Sequence, residues 1–161
     1  VTIVCNTSPI TNLAAITQLE LLHSIFGEIV IPQAVYDELT NVGYPVPGTV
    51  EVQTVSWVKV MRVQNRAQVA SFQQRVDAGE AEAIVLALEL SAKRLLIDEA
   101  IGRSIAEEAG LKVTGILGVL LIAKQQDLIS LVQPLIDSLI ERAGFRVSSG
   151  LYQAILSAAQ E

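Results

Sequence analysis

Four short apolar runs punctuate this chain, and each gives way at once to a helix-forming segment. Residues 2–5 (TIVC), 28–31 (EIVI), 94–97 (RLLI) and 112–114 (KVT) are too short for helices and rich in β-branched or aliphatic side chains. Such runs suit strands buried on both faces. Strand then helix, repeated, builds βαβ units, hence an α/β fold with a parallel sheet covered on both sides. No internal repeat or linker divides the chain, so residues 1–161 are expected to form one domain.

Local signals set the expected boundaries. After the first run, Thr7 or Ser8 can cap a helix and Pro9 suits its first turn, with two short helices over 10–17 and 18–25. Pro32 opens a helix to about Thr40, and residues 41–48 (NVGYPVPG) read as a loop. Residues 57–63 (WVKVMRV) alternate in polarity, as an edge strand does. A polar helix is expected over 65–76, a break at Asp77-Ala78-Gly79, and a helix over 80–90. Further helices are expected over 99–109, stopped by Gly110, and over 115–126, 128–143 and 151–159.

Composition narrows the class. Hydrophobic residues make up 51% of the chain and charged residues 17%, which excludes intrinsic disorder. A net charge of −6 is the wrong sign for binding nucleic acid by charge alone. No basic residue precedes Lys59, so phosphates of a bound polyanion would fall to the second half. One cysteine excludes a disulfide framework and a Cys-rich zinc site, making a reducing cytoplasm the expected location. The opening residues predict no signal peptide, and the longest apolar stretch, 116–123, predicts no membrane span.

In an open parallel sheet, ligands bind beyond the carboxyl ends of the strands, near the switch point in strand order. Asn6, Asp98 with Glu99, and Thr114 follow strands; Glu38 lies near the end of the helix after EIVI; Glu80 and Glu82 begin a helix. Each has a plain reading alone: Glu80 and Glu82 as partners of a helix dipole, Asp98 as an N-cap, Glu38 as a solvated residue, Asn6 as a turn or cap. Only their joint placement is informative. Converging carboxylates repel unless a proton or cation intervenes. Oxygen ligands without a His or Cys cluster favour a hard ion, Mg²⁺ or Mn²⁺, which can activate water against a phosphodiester.

The segments NTSPITNLAAITQLELLHSIFGEIVIPQAVYDELT and GEAEAIVLALEL…RLLIDEAIGRSIAEEAGLKVTGILGVLLIAKQQDLI resemble the two halves of a PIN domain. The closing AGFRVSSGLYQAIL is similar to the tail of a VapC-related branch usually described only as nucleic-acid binding. The resemblance implies a three-layer α/β/α fold with a central, mainly parallel sheet. It implies a Mg²⁺- or Mn²⁺-dependent ribonuclease, a toxin of a toxin–antitoxin pair in many members, and a homodimer. Carried over, the second acid falls on Glu38, the third on Glu80 or Glu82, and the fourth on Asp98, with Glu99 as an auxiliary. Glu80 shares a helical face with Ala83, Ile84 and Ala87 and is preferred; Glu82 stays as the alternative. The departure is Asn6, where the family has Asp as a principal ligand. Asn offers one carbonyl oxygen and no charge. The competing expectation is thus a weakened PIN-fold nucleic-acid-binding or regulatory module. A receiver-like phosphoacceptor domain would want an early acidic pair and a Lys after the last strand, where this chain has Asn6 and Thr114-Gly115.

For an RNA substrate, Arg103 is the candidate phosphate contact, five residues after Asp98. Lys93 and Arg94 begin the adjoining strand and so are expected at the wrong end. Lys59, Arg62 and Arg66 group loosely on the WVKVMRV ribbon. His23 and Cys5 read as structural. The apolar last third suggests core, with any surplus forming a homodimer interface or a groove for an antitoxin or other protein partner.

Overall fold

The computed structural model describes residues 1–41 and 43–161. Its strands are β1 (Ile3–Cys5), β2 (Ile29–Pro32), β3 (Val58–Met61), β4 (Arg94–Leu96) and β5 (Val113–Thr114). All pair in parallel, in the order β3-β2-β1-β4-β5. The WVKVMRV run is therefore the edge strand that its alternation predicts. The chain builds outward from β1 to β3, then crosses to lay β4 on the other side of β1. The switch point lies between β1 and β4, where Val4 pairs with Leu95 and Cys5 with Leu96.

Successive strand residues point to opposite faces and feed two cores. Ile3, Cys5, Ile29, Ile31 and Leu96 face one; Val4, Val30, Leu95 and Ile97 face the other. The first core is closed by α1 (Thr7–Ala15), α2 (Glu20–Phe26), α8 (Ile116–Gln125), α9 (Gln133–Ala143) and α10 (Ser149–Ala158). The second is closed by α5 (Arg66–Phe72), α6 (Ala78–Glu89) and α7 (Ala100–Glu108). With α3 (Gln33–Thr40) and α4 (Thr49–Thr54), this is the three-layer α/β/α arrangement. Among the described residues, no helix is long and apolar enough to cross a membrane.

Several boundaries differ from expectation. Thr7 and Ser8 lie inside α1 rather than capping it; Asn6 holds the N-cap position without a side-chain cap bond. Asp77-Ala78-Gly79 starts α6 rather than separating two helices. Asp77 accepts from the Glu80 N–H and Glu80 reaches back to the Asp77 N–H, a reciprocal capping box. Helix α4 was not expected; Gly48, at φ +102°, turns the chain into it. The helix expected over 65–76 ends at Phe72. Asp127 adopts φ +58°, and Pro134 fits the first turn of α9, so residues 128–132 are not helical. The loop expected over 41–48 includes Val42, which lies outside the described residues.

Candidate metal and nucleic-acid site

The first two candidates stand side by side at the switch point. Asn6 directly follows β1 and is 3% exposed, and its N–H donates to the Leu96 carbonyl across to β4 at 2.9 Å. Asp98 follows β4 by two residues. Its Oδ1 accepts from the Ile116 N–H at 2.8 Å, so it covers the amino end of α8, whose own N-cap is Gly115 and has no side chain to offer. Asp98 does not cap the helix that follows it; Glu99 holds that position, exposed and without a cap bond. The other two oxygens, Asn6 Oδ1 and Asp98 Oδ2, are buried and accept no hydrogen bond among the described residues. A buried unpaired oxygen costs about 1–3 kcal/mol, so two at adjacent strand ends call for a donor or a cation.

Glu38 and Glu80 approach from the helices that return to this end of the sheet. The Thr7 hydroxyl donates to Glu38 Oε2 at 2.5 Å, tying α3 to the residue after Asn6. Gly79 leaves the space that the Glu38 carboxylate occupies; a Cβ there would overlap both Glu38 Oε1 and its carboxyl carbon. Glu80 is buried and, among the described residues, its carboxylate is held only by the 3.3 Å bond from the Asp77 N–H. Gly115 plays the matching role for the other acid, since its Cβ would come within 2.7 Å of Asp98 Oδ1 and 2.6 Å of the Arg103 guanidinium.

The electrostatics link these groups. Burial, then the Asp77, Glu99 and Glu38 charges, push the Glu80 carboxyl up to about 7, against the N–H of Asp77. Burial raises Glu38 despite its Thr7 hydroxyl bond, and Asp77 and Glu82 add to the rise. Burial also raises Asp98, opposed by the Ile116 N–H and the positive charge of Arg103. All three shifts share a sign because desolvation disfavours the charged form and neighbouring carboxylates reinforce it. Perturbed acids gathered in a cleft are characteristic of functional sites; of these three, Asp98 lines the cleft between α7, α8 and α10, and Glu38 and Glu80 do not.

Glu82 is used differently. Its Oε1 accepts from the Ala34 N–H at 3.0 Å, capping α3, and its Oε2 pairs with Arg66 at 2.8 Å. Both oxygens are engaged, whereas Glu80 is not so tied. Among the described residues, no three His, Cys, Asp or Glu side chains already form a cluster fit to hold an ion. The orphaned atoms nevertheless fit a hard cation, since both are oxygens and, among the described residues, neither has a partner. Asn6 and Asp98 would be its inner holders, with Glu38 and Glu80 facing them and Glu99 at the rim.

A cleft of about 1070 Å³ leads away from Asp98 between α7, α8 and α10. Arg103 lines it, as expected, with Ser8 and Glu99 nearby. Arg94 corrects an expectation. Its backbone is at the amino end of β4, but its side chain runs along the sheet, donates to Thr114 Oγ1 at 2.6 Å and reaches the same cleft. Arg146, from the segment before α10, lines it too. Cationic residues near the chain end carried no spacing signal that could have placed them here. His23 stacks on Trp57 with ring centroids 5.2 Å apart, and Cys5 is fully buried with its thiol pushed upward by burial; both are structural.

A family model described as a PIN domain matches residues 2–161. No curated protein matches the chain.

Proposed function

The chain belongs to the PIN-domain family, and from that premise we propose that it is a divalent-metal-dependent ribonuclease that hydrolyses phosphodiester bonds. Members of the family are in general nucleases that use divalent metals and bind nucleic acid. The observation that carries the reading to this chain is the pair of buried, unpartnered oxygens, Asn6 Oδ1 and Asp98 Oδ2, at the switch point. Asn6, Glu38, Glu80 and Asp98 would hold Mg²⁺ or Mn²⁺, with Glu99 as an outer contact and Glu82 bracing α3. Bound there, the ion supplies Lewis acidity to a phosphate and its attacking water.

The chain's own residues do the rest. The Ile116 N–H fixes one oxygen of Asp98 and leaves the other free to bind. Thr7 seats Glu38. Glu80, whose carboxyl is raised to about 7 in the metal-free fold, would give up its proton as the ion binds. Arg103, beside Asp98, faces the substrate phosphate. The same reading takes residues 1–161 as one cytoplasmic domain, a toxin paired with an antitoxin and assembled as a homodimer. The exposed Leu131, Ile140 and Leu151 supply apolar surface for such partners.

The test is RNA cleavage by the purified chain with Mn²⁺ or Mg²⁺. Cleavage should stop with a chelator and fall by at least about 100-fold in Asp98→Asn. A chain that neither cleaves RNA nor binds either ion overturns the reading. A second reading, a binding module with weakened turnover, is favoured by the neutral Asn6 at the most buried ligand position. Asn6→Asp decides between them. The module predicts that Mn²⁺ affinity rises by about tenfold or more and that cleavage appears or strengthens. Unchanged affinity and cleavage remove it.

A further inference from the structure

We propose that α10 is a hinged strap along one wall of the cleft, closed by a latch in which the Glu161 carboxylate joins Lys124 of α8 to the amino end of α9. The inference goes beyond the nuclease reading and does not depend on it, because it concerns a motion of this chain alone.

The apolar hold on α10 is thin. Of its ten residues only Leu156 is buried, with Tyr152 and Ile155 half-buried, and Leu151 is 46% exposed. By contrast, α8 buries Ile116, Leu117, Val119, Leu120 and Ala123. Apolar adhesion scales with the area removed from water, so α10 is the weaker attached of the two. It is also a helix that starts itself. Ser148 accepts from the Leu151 N–H at 3.1 Å, a cap made within the segment and kept when the helix lifts.

The polar hold gathers just past the helix. Glu161 Oε2 accepts from Lys124 Nζ at 2.9 Å and from the Val132 N–H at 2.7 Å, and Oε1 accepts from the Gln133 N–H at 3.0 Å. Lys124 also donates to the Ala159 carbonyl. Val132 is the N-cap of α9 and makes no side-chain cap bond, so Glu161 caps that helix from 29 residues away. Its side chain is only 6% exposed, so water takes over these bonds only when α10 moves. A smaller tie sits midway, where the Tyr152 hydroxyl donates to Asp137 Oδ1 at 2.7 Å and accepts from Gln133 Nε2 at 3.1 Å. At the near end, Phe145 and Val147 pack against the first core and the Phe145 N–H donates to the Leu139 carbonyl, whereas residues 148–150 are exposed. Opening the latch therefore swings α10 about 148–150 and leaves the near end anchored. Leu151 and Ile155 line the cleft, so the swing widens it while α7 and α8 stay on the sheet. Few buried contacts and one concentrated latch let a segment open well below the free energy of global unfolding.

The experiment is hydrogen exchange of the metal-free chain, comparing amides of α10 with those of β1 and β4. In the native chain α10 should exchange at least about 10-fold faster than the sheet. Glu161→Ala and Lys124→Met, each removing hydrogen bonds to a charged group, should lower α10 protection a further 10-fold or more, to about 100-fold at most. A second readout uses Ile155→Cys, on the cleft side of α10, and a thiol reagent. Cys5, fully buried in β1, reports global opening in the same molecule. Adding Glu161→Ala should speed labelling of the introduced thiol by about the factor seen in exchange, with Cys5 at least about 10-fold slower. Protection of α10 equal to that of β1 and β4 in the native chain overturns the strap, and that comparison needs no variant. Protection unchanged within about twofold in both latch variants overturns the latch. Reaction of the introduced thiol in step with Cys5 also overturns the proposal, since α10 would then open only when the whole fold does.

Discussion

Replacing Gly79 with Ala tests the site without substituting any proposed ligand. Gly79 is in the first turn of α6 with ordinary helical backbone, so Ala there gains about 0.5–1 kcal/mol of helix stability. The added Cβ occupies the space of the Glu38 carboxylate, which must swing away and release the Thr7 hydroxyl. A hydrogen bond to a charged acceptor is worth about 1.5–3 kcal/mol, less where the freed group gains water. Glu38 is half-buried and can gain it. The two effects nearly cancel, leaving stability within about 1 kcal/mol and Tm within about 3 °C. Mn²⁺ binding does not share that cancellation, because displacing a group that seats a ligand costs about 10–100-fold in affinity. Titration calorimetry with Mn²⁺, alongside thermal unfolding, reads both. In a double-mutant cycle, Gly79→Ala should add little to Glu38→Gln, since both remove the same contact. Wild-type Mn²⁺ affinity and RNA cleavage in a folded Gly79→Ala protein would refute the placement of Glu38 at the metal.

Glu82→Ala should separate structure from chemistry. It strips the cap from α3 and leaves the Ala34 N–H unpaired, costing about 2 kcal/mol and lowering Tm by about 4–8 °C, while Mn²⁺ affinity stays within about threefold. Arg66→Ala, removing only the 59% exposed partner, should cost no more than about 1 kcal/mol. A large loss of Mn²⁺ affinity in a stable Glu82→Ala protein would instead return Glu82 to the ligand set. The acids also predict a pH dependence. Glu38, Glu80 and Asp98 have folded pKa values raised above their unfolded ones, so the metal-free fold binds protons more tightly than the unfolded chain. That stabilisation is complete below the ordinary carboxylate range and is lost as pH rises through about 7, set by Glu80. Glu161, lowered by the Val132 and Gln133 N–H groups and Lys124, acts at more acidic pH and does not oppose the trend. Metal-free Tm should therefore decline from pH 5 to 8 while Mn²⁺ affinity rises over the same interval. A flat Mn²⁺ affinity would show that no proton is displaced from these carboxyls.

Much of the site is legible at the level of single elements. Asn6 and Asp98 are visible because a short apolar run followed by a polar residue marks a strand's carboxyl end, whatever the sheet order. Glu38 stands out only through the resemblance to the family, since on its own residues it reads as a solvated helix position. Helical spacing favours Glu80 but leaves Glu82 open, because both sit in one helical turn and the difference lies in what approaches them. Ala34 and Arg66 take both oxygens of Glu82, and only folding brings them there. The Asp77–Glu80 capping box has a readable spacing, yet a Gly inside it imitates a break until its role as space for Glu38 is seen.

Local patterning alone thus settled the alternation of strand and helix, the edge character of WVKVMRV and the list of acids at strand ends. Those properties depend on side-chain period and near-neighbour chemistry, which a linear chain carries with it. Strand order, the meeting of Asn6 with Asp98, the space that Gly79 leaves for Glu38 and the turn of Arg94 into the acidic cleft were decided in three dimensions. Each joins residues far apart in the chain through close packing, and no periodicity records which distant surface fills which space.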